Sequence, residues 1–241
     1  MIFELIGSTL LYVNSVLFGN STLDPAVVER YVGLANYTYG QVLEIIELNT
    51  TQIVLNTTDG DLIIKADHDT MGTVFIAEME LDIDPYEFFY AMWYNAEDTP
   101  DWNPSISGIS VLMDINNQTR ISYQEVGSVG NGFLSSRDFV NLNSFREIDG
   151  TYYITFQSIT FPEKAVPSGW VRGWNGPSGF SIEPSGNGSF VSWIFNTDMK
   201  MRWMPKSIMD SMFPTIVEGY LRNLRNYVDT LTNATTNAIG D

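Results

Sequence analysis

The chain has 241 residues, with 29 Asp and Glu against 12 Lys and Arg, a net charge of −17 at neutral pH, no Cys and a single His, His68. That charge argues against a nucleic-acid binder, which needs clustered basic surface, and against attraction to anionic membranes. The missing Cys excludes disulfides, thiolate catalysis and zinc–cysteine sites, and one His leaves little for a His-rich metal site or a Ser-His-Asp apparatus.

The first apolar run, 5–18, is too short and too interrupted by Ser and Asn to span a bilayer. It has small residues at Gly19 and Ser21 but carries Glu4 where a signal peptide has basic charge. The N-terminal segment 1–23 therefore reads either as a signal or as an element packed on the domain.

Asp24-Pro25 is a helix start, an N-cap followed by Pro at the first helical position. Val28, Tyr31, Val32, Ala35, Val42, Ile45 and Ile46 carry the period to about Leu48. Strands at 51–56 and 61–66 flank Asp59-Gly60, a hairpin signal. A strand follows over 72–82, and Asp84-Pro85 opens a shorter helix through Phe88, Phe89, Met92 and Trp93. Residues 99–104 read as a loop dense in turn formers. Strands follow at 108–114, 119–126, 137–146 and 152–161, a further pair at 170–174 and 179–183, and a last strand at 190–198. Pro205 starts a final helix to about Leu231 along Ile208, Met212, Ile216, Tyr220, Leu224, Tyr227 or Val228, and Leu231, with Pro214 expected to kink it and the residues beyond 231 to fray. This order predicts one α+β domain over 24–232, a curved antiparallel sheet wrapped around the long C-terminal helix, with a tail at 233–241. Such a sheet leaves room for a ligand cavity, and the 13% of aromatic residues suit a wide interior.

Seven Asn-x-Ser/Thr sequons occur, at Asn20, Asn36, Asn49, Asn56, Asn117, Asn187 and Asn233. With the acidic, Lys-poor composition they favour a secreted glycoprotein; a cytoplasmic location is the alternative.

Several ordered blocks resemble a START domain, the steroidogenic-acute-regulatory-protein-related lipid-transfer module. They are Trp102-Asn103-Pro104, Ser136-Arg137-Asp138-Phe139-Val140-Asn141, Trp170-Val171-Arg172-Gly173, Asn175-Gly176-Pro177-Ser178-Gly179-Phe180, the run from Trp193 to Lys200, and Pro205-Lys206-Ser207-Ile208. The resemblance covers roughly 24–231 and is nearest to the sterol- and carotenoid-binding subgroup. It implies a helix-grip fold with one lipid in an internal hydrophobic tunnel, gated by the loop 127–136 and the C-terminal helix. It also implies a buried acid and a buried arginine holding the ligand's polar end. Alignment puts those positions at Gln124 and Asn143, so the charged pair has become two amides. Amides avoid the desolvation cost of a buried ion pair, can each donate and accept, and could satisfy each other in an empty tunnel.

Two readings of Gln124 and Asn143 stand: tunnel contacts, or surface strand residues, because alternation puts Gln124 on one face with Arg120 and Ser122. Asn103, Trp102, Phe133, Leu134, Met209, Met212, Phe213, Ile216 and Tyr220 are further expected ligand contacts, and Trp93, Trp170, Trp174 and Trp193 either line the tunnel or pack the core. Arg137 with Asp138, and Asp198 with Lys200, read as structural anchors. His68 with Asp67 and Asp69 reads as a solvated turn rather than a metal cluster.

The expected function is non-catalytic transport or storage of a carotenoid or sterol, with no catalytic residue, catalytic cofactor or metal and a bound lipid in their place. Partners would be the ligand and neutral membranes or lipoproteins; a homo-oligomer is left open. The alternatives are a helix-grip enzyme on a hydrophobic substrate and a permanent pigment or lipid store.

Overall fold

The computed structural model describes residues 23–49, 51–128, 135–201 and 205–239, excepting the side chains of Lys206, Met209 and 234–239. Residues 1–22, with the expected signal or packing segment and Asn20, lie outside them, as do 129–134 of the expected gate.

The first helix, α1 (Pro25–Ile46), begins where Asp24 Oδ1 accepts the Ala26 N–H at 2.9 Å. Strands β1 (Thr51–Asn56) and β2 (Leu62–His68) pair antiparallel, and Gly60 takes the left-handed conformation (φ 88°) that their turn requires. After β3 (Gly72–Leu81) comes α2 (Pro85–Trp93), capped by Asp84 as α1 is by Asp24. The region read as a loop at 99–104 instead holds a short helix, α3 (Thr99–Trp102), after a 3₁₀ turn at Ala96–Asp98. Pro100 in its first turn needs no N–H partner, so the cluster of turn formers supports a helical turn.

Then follow β4 (Ile106–Asn116), β5 (Thr119–Val126), β6 (Arg137–Ile148) and β7 (Thr151–Ser158). The segment 170–174 is not the partner of 179–183. It splits into β8 (Val171–Arg172), parallel to β6, and β9 (Trp174–Asn175). Gly173 sits between them because a Cβ there would lie 2.3 Å from the Phe139 ring. β10 (Ser178–Ser185) pairs with β7 and with β11 (Gly188–Phe195). The predicted strand 190–198 therefore breaks: its end is β12 (Thr197–Asp198), which pairs with β9. The last element, α4 (Lys206–Ile239), runs through Pro214 and past 231, where fraying was expected.

The large sheet runs β1-β2-β3-β11-β10-β7-β6-β5-β4. It is buried on both faces. On one lies α1, with Val42 and Ile45 against Ile64, Val74, Ile76 and Ile194, and further along with Ala35 near Ile121, Val140 and Leu142. On the other lie α2 and α4, with Phe88, Val217, Leu221 and Leu224 among Phe75, Met79, Ile182 and Val191. The sheet thus wraps the C-terminal helix as predicted. The buried face of α4 follows the expected stripe only in its second half. Val217, Leu221, Leu224 and Val228 are buried, whereas Ile208, Met212 and Ile216 are 46%, 48% and 41% exposed. Uninterrupted steps of four rotate about 40° per step around a helix, so a 208–212–216 row drifts off the face that alternating steps of four and three keep.

Candidate functional site

Alternation on the inner face of the sheet builds a cavity of about 230 Å³. One buried water needs roughly 10–15 Å³ on the same scale, so the space suits a ligand of many heavy atoms. Arg120, Ser122, Gln124 and Val126 of β5 point into it, followed by Phe139, Asn141 and Asn143 of β6. The residues between them, Ile121, Tyr123, Val140 and Leu142, pack under α1. Phe180, Trp193 and Phe195 form one wall, their rings 4.7 Å and 4.5 Å apart in succession. Phe213, Ile216 and Tyr220 of α4 close the opposite side.

The helix is clasped to the sheet by Lys65–Asp210 at 3.2 Å and by Arg225 paired with the buried Asp61, and to α3 by Tyr227 stacked on Trp102 at 5.2 Å. Burial pushes the Tyr220 phenol up, with Ser105 acting in the other direction.

Of the sequence-predicted contacts, Gln124, Asn143, Asn103, Trp102, Phe213, Ile216 and Tyr220 line this cavity. Met212 does not; it lies on the exposed side of α4. Phe133, Leu134 and the Met209 side chain lie outside the described residues. Trp93 and Trp193 join the lining, whereas Trp174 is 40% exposed.

Gln124 and Asn143 do not satisfy each other. The register sets Asn143 opposite Arg120, and Gln124 opposite Phe139. Four residues of strand, about 13 Å, separate the two rungs. Asn143 instead donates to Ser122 Oγ at 2.8 Å and to the Asn141 carbonyl at 3.0 Å. Gln124 lines the cavity and makes no side-chain hydrogen bond among the described residues. Asn103 is 2% exposed and its Oδ1 accepts the Ser105 N–H at 3.1 Å.

A satisfied polar network floors the cavity beside them. Asn141 Oδ1 accepts from Ser158 Oγ at 2.9 Å and Asn175 Nδ2 at 3.2 Å, and Asn175 Oδ1 accepts from Thr197 Oγ1 at 2.8 Å.

Sequence reasoning missed Arg120, which alternation had placed with Ser122 and Gln124 but on a presumed solvent face. It is the sole charged side chain among the described lining residues. Its guanidinium lies 4.0 Å from the Trp93 ring centroid and donates through Nη2 to the Trp93 carbonyl at 2.6 Å. Its Nε is buried without a partner. Burial pulls it below the usual guanidinium range, against Asp114, Glu97 and Tyr94.

The remaining charged motifs are structural. Arg137 and Asp138, both buried, face different partners: Arg137 Nε donates to the Met199 carbonyl, while Asp138 takes two bonds of 2.9 Å from Arg172 and one of 3.2 Å from the Tyr123 hydroxyl. That environment pushes the Tyr123 phenol far up, through burial first and the Asp138 charge second. Lys200 braces Asp198 at 2.6 Å. His68 is a turn cap, its Nδ1 facing the Thr70 and Met71 N–H groups at 3.2 and 3.3 Å.

Residues 52–233 match the START domain family. The chain belongs to that family. Curated relatives of this START domain include the mitochondrial steroidogenic acute regulatory proteins of Oncorhynchus mykiss, 26% identical over 179 residues, and of Danio rerio, 22% identical over 229 residues. The matches cover 73% and 89% of this chain and 61% and 79% of the relatives, so the chain spans less than two thirds of the first. The solved human StAR-related lipid transfer protein 5 superposes with a TM-score of 0.77 at 20% identity, over 85% of this chain and 99% of that one. Human STARD10 follows at 0.71 and 13%, over 85% and 83%. At those identities the likeness concerns the fold.

Proposed function

We propose that this START domain is a non-catalytic carrier of one hydrophobic lipid, held between the sheet and α4. The carrying observation is the cavity itself, lined mainly by aromatic and aliphatic side chains with a short polar stripe along β5 and β6. Neither a carboxylate nor a His is among its described lining residues. The names of the relatives, steroidogenic acute regulatory protein and lipid transfer protein, support a lipid cargo. A sterol or a carotenoid fits the reading. Hiding ~400 Å² of apolar ligand surface contributes roughly 10 kcal/mol before association costs.

A secreted location is supported by Asn36, Asn49, Asn56, Asn117, Asn187 and Asn233, all exposed and thus open to glycans. A mass decrease on enzymatic deglycosylation of the native protein checks it; an unchanged mass overturns it.

Organic extraction of the native protein, after its visible spectrum is recorded, followed by mass spectrometry, is the direct test of cargo. A carotenoid or a sterol in the extract supports carriage; a well-folded protein that yields none and takes none up overturns it. Movement of the ligand between vesicles then separates a shuttle from a store.

A further inference from the structure

We propose that Arg120 makes the cavity selective for lipids that end in a carboxylate. The inference rests on the carrier reading above and narrows its cargo from a neutral sterol or carotenoid to a lipid with an acid end.

The protein is strongly acidic, with a net charge of −17, yet the single charged group among the cavity's described lining residues is a cation. Buried cations are normally paired with an acid. Arg120 has no ion pair within 4.0 Å among the described residues. Asp114 stands opposite it across the β4–β5 pair and acts only at longer range, and Glu97 is engaged by the Val111 N–H at 2.9 Å.

A guanidinium carries five N–H donors. Here one serves the Trp93 carbonyl and Nε is enclosed without an acceptor. Nη1 bonds to no described residue. The Trp93 ring on one face fixes the group's orientation. A half-satisfied, pre-oriented guanidinium beside an apolar cavity matches a carboxylate, which accepts two parallel N–H bonds. Ser122 stands two residues along the same strand, and the Gln124 amide four, both on the cavity side. Cation recognition is excluded by the same charge. A hydroxyl could accept one bond but would bring no charge of its own to the guanidinium.

The test uses matched pairs that differ only in the polar end: retinoic acid with retinol, and oleic acid with oleyl alcohol. Delipidated full-length protein is incubated with each equimolar pair, re-isolated and extracted, and the acid-to-alcohol ratio is measured by mass spectrometry. Wild type is expected to favour the acid by about tenfold or more in at least one pair, the scale of one charge-assisted hydrogen bond. Arg120→Gln should bring that ratio to near parity while total lipid is kept; Arg120→Lys should keep part of the preference. Parity in wild type, or a preference unchanged in R120Q, overturns the proposal and leaves the carrier reading standing. Binding of neither member of either pair overturns the proposal, and the lipid extracted from the native protein then decides the carrier reading. Should R120Q fail to fold by circular dichroism, the wild-type ratio and that of R120K decide.

Discussion

At the scale of single residues, the most consequential group outside the cavity is Asp138. It is fully buried and bonded to Arg172 and Tyr123. Removing one partner of such a pair strands a charge, so Asp138→Ala should lower the unfolding free energy by about 3–5 kcal/mol, measured by urea denaturation. Tyr123→Phe removes a single hydrogen bond to that charge and should cost about 1.5–3 kcal/mol. Glu78 gives a pH signature. Burial holds its carboxyl above the ordinary 4.5, so the folded state binds this proton more tightly than the unfolded chain does. Its contribution is therefore present below pH 4.5 and lost as pH rises through the raised value. Glu78→Gln should raise the urea midpoint at pH 7 and flatten its fall between acid and neutral pH. Which residues share a face was readable at this scale, since Arg120, Ser122 and Gln124 do alternate together. Which face looks inward was not. Both faces of β5 are covered, and the apolar members, Ile121 and Tyr123, meet α1, so the usual rule of apolar-inward pointed away from the cavity.

At the scale of elements, the strong local signals carried over. Two Asp-Pro helix starts and the Asp59-Gly60 turn appear where their chemistry puts them, because caps and turns are settled by neighbours in sequence. The segments that changed, 99–104, 170–174 and the end of 190–198, depend on distant partners instead. β8 exists only because Arg137 and Asp138 offer it an edge, and β9 only because β12 returns to it. Helix α4 shows the same limit: an apolar row was visible, but its buried side is set by the sheet it rests on. Leu224→Ala, on that side and 0% exposed, should cost about 2–5 kcal/mol. Met212→Ser, on the exposed side, should stay within about 0.5 kcal/mol. Thermal melts of the two variants compare the faces directly. Gly179→Ala should not fold stably, because its Cβ would lie 2.1 Å from the Ile154 carbonyl oxygen.

At the scale of the whole molecule, the fold class and the internal space were legible from element order and the ordered START-like blocks, whereas the polarity of the cavity was not. The expected amide pair proved to be two separate groups, and a cation stands where only apolar lining and amides were foreseen. Ligand should raise the melting temperature of the entire domain, since it binds the folded state alone; at a hundredfold excess over Kd the gain is about 2.7 kcal/mol. Equal melting temperatures for loaded and delipidated protein would contradict a ligand seated between sheet and helix. The sheet is joined at its middle by β3 and β11, so Leu81 must find Ser189 before the two halves become one surface. Only after β11 does the chain reach α4, the element that covers that surface. In chain order the cavity-facing surface of the sheet is therefore complete before the helix that roofs it, so a chain cut after β12 would carry the ligand's half-site without its cover.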